Sequence, residues 1–141
     1  MIDDITRNGG CLCGAIRFAA RGAPTMTNYC HCQMCRKAGG APVVAWATYR
    51  IEQVDITGPI KFYRSSERAE RGFCPNCGSA MVWRRVAREG GSEVTHLDLT
   101  VGCFDDPRGL GPGSHIFMES AIPWLHVHDD LPRHMKWPPK S

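Results

Sequence analysis

No run in this chain approaches the length of a membrane span. A transmembrane helix needs about 20 consecutive apolar residues, and the longest apolar runs, such as Pro42 to Ala47, fall far short. The sequence also lacks the pattern of an export leader, which opens with positive charge and continues into an apolar stretch. Met1-Ile2-Asp3-Asp4-Ile5-Thr6-Arg7-Asn8-Gly9-Gly10 is acidic and polar instead. There is no dense basic stripe: 17 Lys and Arg are interleaved with 14 Asp and Glu for a net charge of +3, which argues against a nucleic-acid partner. The richest basic stretch, Arg64 to Arg71, is broken by Glu67 and Glu70. It reads either as a solvated helix or loop face or as a cationic rim for small anions. Internal repeats and low-complexity segments are missing too. These absences point to a soluble, cytoplasmic protein with no membrane partner.

At 141 residues the chain has the size of one domain, and a single domain over 1–141 is expected, since no stretch looks like a linker. Apolar residues make up 43% of it, enough for a core, but 15 Gly and 10 Pro shorten regular elements and favour turns. Bound metal is expected to add stability.

Seven of the eight cysteines fall in three tight clusters: Cys11-Leu12-Cys13, Cys30-His31-Cys32-Gln33-Met34-Cys35 and Cys74-Pro75-Asn76-Cys77. Thiolates one or two residues apart on glycine-marked turns can converge on a soft cation, as tetrahedral zinc coordination requires. Disulfides are the competing account for an even cysteine count in a short chain. A disulfide within Cys-x-Cys or Cys-x-x-Cys closes a very small ring, however, and constrains little of the unfolded chain. Zinc is therefore expected, two ions per chain. The two-cysteine clusters supply the four ligands of a closed site, Cys11, Cys13, Cys74 and Cys77, whereas Cys30, Cys32 and Cys35 supply only three. A closed site holds a fold together, and a three-ligand site can keep a position open for chemistry.

The fourth position beside Cys30, Cys32 and Cys35 is open to His31, a distant histidine or water, and a second structural zinc completed by Cys103 or a histidine is the alternative. His31 lies between two ligands and is expected to point away from their metal. Cys103 stands alone, as a buried inert thiol does. His115, His126 and His128 read as structural, and Trp46, Trp83 and Trp124 as core or pocket wall. Arg36 and Lys37 follow Cys35 directly and are expected at the mouth of any pocket there, where they would attract an anionic thiol.

The remaining pattern is that of short strands. Ala15–Ala20, Val43–Tyr49, Val54–Pro59, Ile60–Arg64, Ser79–Arg84, Glu93–Val101 and His115–Glu119 alternate or are rich in branched and aromatic residues, with turn signals between them. The expected fold is β-rich, with one or two helical turns around Cys35 or Ser66.

Gly10-Cys11-Leu12-Cys13-Gly14-Ala15-Ile16-Arg17-Phe18, Cys30-His31-Cys32-Gln33-Met34-Cys35-Arg36-Lys37-Ala38-Gly39-Gly40 and Arg71-Gly72-Phe73-Cys74-Pro75-Asn76-Cys77-Gly78-Ser79 together resemble the glutathione-dependent formaldehyde-activating (GFA) family, which includes centromere protein V. Leu97 to Pro107, His115-Ile116-Phe117 and Pro123-Trp124-Leu125 resemble its C-terminal strands. The resemblance implies a mainly β fold of curved antiparallel sheets around a zinc-ribbon core. It implies a structural zinc on Cys11, Cys13, Cys74 and Cys77, and a catalytic-type zinc on Cys30, Cys32 and Cys35. The activity it implies is that of a carbon-sulfur lyase or synthase like S-(hydroxymethyl)glutathione synthase, adding glutathione or a similar small thiol to formaldehyde or a related small aldehyde. A non-catalytic zinc-ribbon module that binds protein or nucleic acid is the alternative.

Overall fold

The strand His96–Thr100 shows how the architecture works: Leu97 and Leu99 are buried in the core while Asp98 between them faces the opposite side of the sheet. The computed structural model describes residues 4–87 and 93–139; the first three residues of the segment read above for a leader lie outside them. In chain order the elements are β1 (Thr6–Gly10), β2 (Arg17–Arg21), β3 (Met26–Cys30), α1 (Gln33–Gly39), β4 (Val44–Arg50), β5 (Val54–Thr57), β6 (Lys61–Arg64), β7 (Ala69–Phe73), β8 (Ala80–Arg85), β9 (His96–Thr100) and β10 (His115–Ile116).

The mainly β fold expected from the sequence is the one observed. A small sheet has the order β1-β2-β5, and a larger one the order β10-β3-β4-β9-β8-β7-β6. Neighbouring strands are antiparallel except β10, which pairs in parallel with β3 through His115 to Tyr29 and Ile116 to Cys30. Ile16, Phe18 and Ala20 from the β2 region meet Tyr49, Met81, Val82, Leu97, Leu99 and Phe104 in one core. Each large apolar side chain so buried contributes about 1.5–3 kcal/mol. Phe18 sets its ring edge-on to Phe104 at 4.9 Å between centroids, an arrangement favoured by the ring quadrupoles.

The helical turn expected around Cys35 or Ser66 is found at Cys35, in α1. Ser66 is not in a helix: the backbone N-H groups of Ser65 and Ser66 both donate to the Ala69 carbonyl, forming the tight turn between β6 and β7. The basic stretch ending at Arg71 is likewise not wholly solvated. Its last residues form β7, where Glu70 accepts from Arg84 at 2.8 Å, and the Arg84 guanidinium lies 3.6 Å over the Phe62 ring.

Candidate functional site

The β1–β2 connection and the turn before β8 bring four sulfurs together. The Sγ atoms of Cys11, Cys13, Cys74 and Cys77 all lie within 4.8 Å of one another. Backbone N-H groups point at them, from Ile16 to Cys11 Sγ at 3.2 Å and from Cys77 to Cys74 Sγ at 3.4 Å. The chain can turn this sharply because Gly14 and Gly78 adopt φ of +82° and +80°, which a side chain would oppose. Ser79 Oγ links the two halves, accepting from Leu12 N at 2.9 Å and lying 3.3 Å from Cys77 Sγ. Hydrogen bonds from the Ser79 side chain and backbone push the Cys77 thiol down to about 5. All eight cysteines are free thiols. The Cys11–Cys13 and Cys13–Cys74 sulfur separations of 3.6 and 3.8 Å are far longer than a disulfide bond of about 2.05 Å. Cys103 belongs to neither sulfur group; its thiol faces the Ala80 carbonyl at 3.5 Å, and burial raises its pKa.

The second sulfur group is built on one local turn. Cys30 ends β3, Cys32 caps α1 by accepting from Cys35 N at 3.3 Å, and Cys35 is the buried residue of that helix. Their three Sγ atoms also lie within 4.8 Å of one another. Hydrogen bonds from the Cys30 and Cys35 thiols drive Cys32 down to about 2, and the bond to Cys32 in turn raises Cys30. Cys35 is lowered by Cys30, but Cys32 and burial outweigh that pull and raise it. Three sulfurs this close can all be thiolates only with a cation among them, and an all-sulfur donor set suits a soft ion of the zinc type. From β7, Arg71 turns both terminal guanidinium nitrogens toward Cys35 Sγ, at 3.7 and 3.6 Å.

These three thiols open onto a cavity of about 320 Å³. Its floor is one face of the larger sheet. Register aligns Met26, Thr48, Asp98, Trp83 and Arg71 in a single row across β3, β4, β9, β8 and β7, and antiparallel partners project to the same side. Asp98, Trp83 and Arg71 of that row line the cavity, with Asn28, Trp46 and Arg85. Ser66, Arg68 and Arg85 form an exposed polar rim, and Phe117 and Trp137 complete the apolar wall. Burial pushes the Asp98 carboxyl up to about 6, against the hydrogen bond from Thr48 and the charge of Arg85. Asn28 is 2% exposed, and its Oδ1 has no hydrogen-bond partner among the described residues.

Arg36 and Lys37 do not line this cavity. Successive helical residues are rotated by about 100°, so the two that follow an inward-facing Cys35 are carried round the helix away from it. Arg68, Arg71 and Arg85 stand at the cavity instead. Trp46 and Trp83 are pocket wall as expected, whereas Trp124 is 68% exposed and is neither core nor wall.

His31, 3% exposed, points away from the three thiols as expected and is no ligand in their group. Its Nε2 lies 2.8 Å from His115 Nδ1, and His115 Nε2 lies 2.9 Å from Asp129 Oδ2. Asp129, lowered chiefly by His115, remains a carboxylate and accepts from His115 Nε2. The contact between His31 Nε2 and His115 Nδ1 is the next link of this network. This chain ties the sulfur-bearing turn to the C-terminal segment, and nothing in the local sequence around His31 announced it.

The family model described as glutathione-dependent formaldehyde-activating enzyme matches residues 6–120. The chain belongs to the GFA family. An uncharacterized lyase of Schizosaccharomyces pombe is 36% identical over 75 residues, covering 53% of this GFA chain and 55% of that protein. The chain thus spans about half the length of the curated relative it matches. A crystal structure of a Rhodobacter sphaeroides protein superposes with a TM-score of 0.52 at 22% identity, over 74% of this chain and 94% of that one, a likeness of fold. The stretch matched by the GFA model holds all seven clustered cysteines, Arg71 and Asp98, and ends before Asp129 and Trp137.

Proposed function

We propose that this chain is a GFA-type carbon-sulfur lyase that makes or breaks the bond between a small thiol, such as glutathione, and a small aldehyde, such as formaldehyde. The observation that supports this most is the opening of the three-thiol group onto a cavity, with no fourth Cys, His, Asp or Glu in that group among the described residues. Cys11, Cys13, Cys74 and Cys77 would hold a structural zinc, and Cys30, Cys32 and Cys35 a second. Zinc on the three-thiol group would supply stabilisation of a thiolate and polarisation of a carbonyl.

The chain's own residues account for the rest. Arg71 offsets the negative charge gathered on the sulfurs. Trp46, Trp83, Phe117 and Trp137 wall the cavity with apolar surface, which excludes water and strengthens polar contacts inside. Arg68 and Arg85 at the rim would receive the carboxylates of an acidic thiol.

The test is a panel of thiols with formaldehyde and larger aldehydes, with adduct exchange followed by NMR and metal content counted in the same samples. Catalysed exchange with two zinc ions bound is the expected result. A folded, two-zinc protein that accelerates no pairing would leave a binding module as the better reading.

A further inference from the structure

Asp98 is a costly residue for its position. It sits in the middle of β9, its backbone flanked by β4 and β8, and its side chain lines the cavity shared with Cys30, Cys32 and Cys35. Thr48 Oγ1 donates to its Oδ1 at 2.5 Å, a bond that a neutral amide or hydroxyl could equally accept. A carboxyl is the expensive choice there, because its ionised form is the one that burial penalises. Groups shifted this way in a cleft are where acid-base chemistry is expected.

The geometry also puts Asp98 at a useful distance. In the cross-strand row its backbone is two strands from that of Arg71, about 10 Å, and Arg71 reaches back over Cys35. Trp83 stands between them in that row and projects to the same side, so a small adduct lying over its ring would meet the thiol group at the Arg71 end and Asp98 at the other.

Resting on the lyase reading above, we propose that Asp98 carries the hydroxyl proton of the thiol–aldehyde adduct. In breakdown the Asp98 carboxylate takes the proton from the adduct's hydroxyl, the O–H electron pair becomes the carbonyl π bond, and the C–S bond breaks with its pair left on sulfur. Aldehyde and thiolate leave Asp98 protonated. In the addition direction sulfur forms the C–S bond, and the carbonyl oxygen takes the proton back from the carboxylic acid. Atoms and electrons balance without an oxidant or further reactant.

The groups that bear on this proton are those facing the cavity. Arg85 of β8, Arg71 of β7 and Arg68 of the rim favour the carboxylate, as does the Thr48 hydroxyl of β4, while the thiolates of Cys30, Cys32 and Cys35 oppose it. Breakdown should therefore gain kcat/KM as pH rises through the region near 6 where Asp98 ionises.

The experiment uses the zinc-loaded protein, with S-(hydroxymethyl) adduct breakdown measured against the uncatalysed rate over pH 4.5 to 9 for wild type, Asp98→Asn and Asp98→Glu. The Asn variant should retain its zinc and lose about 10²- to 10⁴-fold in kcat, with KM little changed and the rise near pH 6 gone. The Glu variant should recover part of the rate with a shifted limb. As a second measurement on wild type alone, S-(2-hydroxyethyl)glutathione, whose C–S bond is stable, should shift the ¹³C resonance of the Asp98 carboxyl. Wild-type turnover with an unchanged rate and pH limb in Asp98→Asn, or no carboxyl shift with the bound thioether, would overturn the inference alone. Absence of wild-type turnover with every adduct would overturn the lyase reading, and this inference with it.

Discussion

Arg71 approaches Cys35 Sγ with both ends of its guanidinium, from a strand that follows the helix bearing Cys35 by some thirty positions in the chain. A fixed cation beside three clustered sulfurs favours their thiolate forms and thereby any metal they hold. Arg71→Ala should weaken metal binding at the three-thiol group by about 10- to 100-fold in chelator competition, leaving the four-cysteine group unchanged. Arg71→Lys, which keeps the charge but not the two-pronged contact, should fall between. Equal affinities in all three proteins would make the contact incidental.

The two sulfur groups should respond oppositely to loss of a ligand. The first ties Cys13 to Cys74, 61 positions apart, so Cys74→Ser releases a long loop and should give a protease-sensitive protein with a collapsed melting transition. The second closes a single local turn. Cys35→Ser should therefore remove about one zinc and leave Tm nearly unchanged, and mild chelation of the wild type should empty this group first.

Substrate charge should be sensed at the rim of the sheet and not on α1. Arg85→Ala should raise KM for a carboxylated thiol several-fold and leave 2-mercaptoethanol nearly unaffected. The double variant Arg36→Ala with Lys37→Ala should change neither. A loss of selectivity in the double variant would show that the cavity lining misidentifies the binding surface.

Asp98 also makes a thermodynamic prediction. Its carboxyl titrates near 6 in the folded protein, above the ordinary value of 3.8, so its contribution to stability is fully present below about pH 4. That contribution is lost as pH rises through 6. Asn cannot ionise, so Asp98→Asn should match the wild type near pH 4 and become the more stable protein above pH 7, by on the order of 2–3 kcal/mol at most. Thermal melts at matched zinc content across that range test it, and a difference that does not vary with pH would contradict the shift.

The sulfur groups were legible in the sequence because their cysteines come in clusters a few positions long, one for the three-thiol group and two for the four-cysteine group, and the turn chemistry of Gly14 and Gly78 stands beside them. Strands β2, β5, β6 and β9 were legible from alternation and β4 from its branched and aromatic residues, with β8 and β10 read as further short strands. Strands β1, β3 and β7 were not. Thr6–Gly10 has few residues that favour strands, and it is held by pairing with β2, where the absent side chain at Gly9 leaves room for Phe18 Cζ, 2.3 Å from where a Cβ would sit. Glu70 and Arg71 disguise β7 as a surface stretch, whereas pairing with β6 and β8 decides its conformation. Asp98 was missed, and Arg71 was read only as the end of a basic stretch that was either solvated or a cationic rim, for one reason: each enters the cavity through the register of neighbouring strands, and register is a property of the whole sheet.

Trp137 lies beyond the residues matched by the family model, yet it lines the same cavity as the three thiols and rests against Phe117, their ring centroids 5.0 Å apart. One enclosure thus has two architects. The sheet and α1 carry the thiol side of the cavity, and the segment after residue 120 closes part of its apolar side. Exchanging that tail aromatic should retune which organic groups fit without disturbing a sulfur or a strand, so selectivity and reactivity can vary independently in this fold.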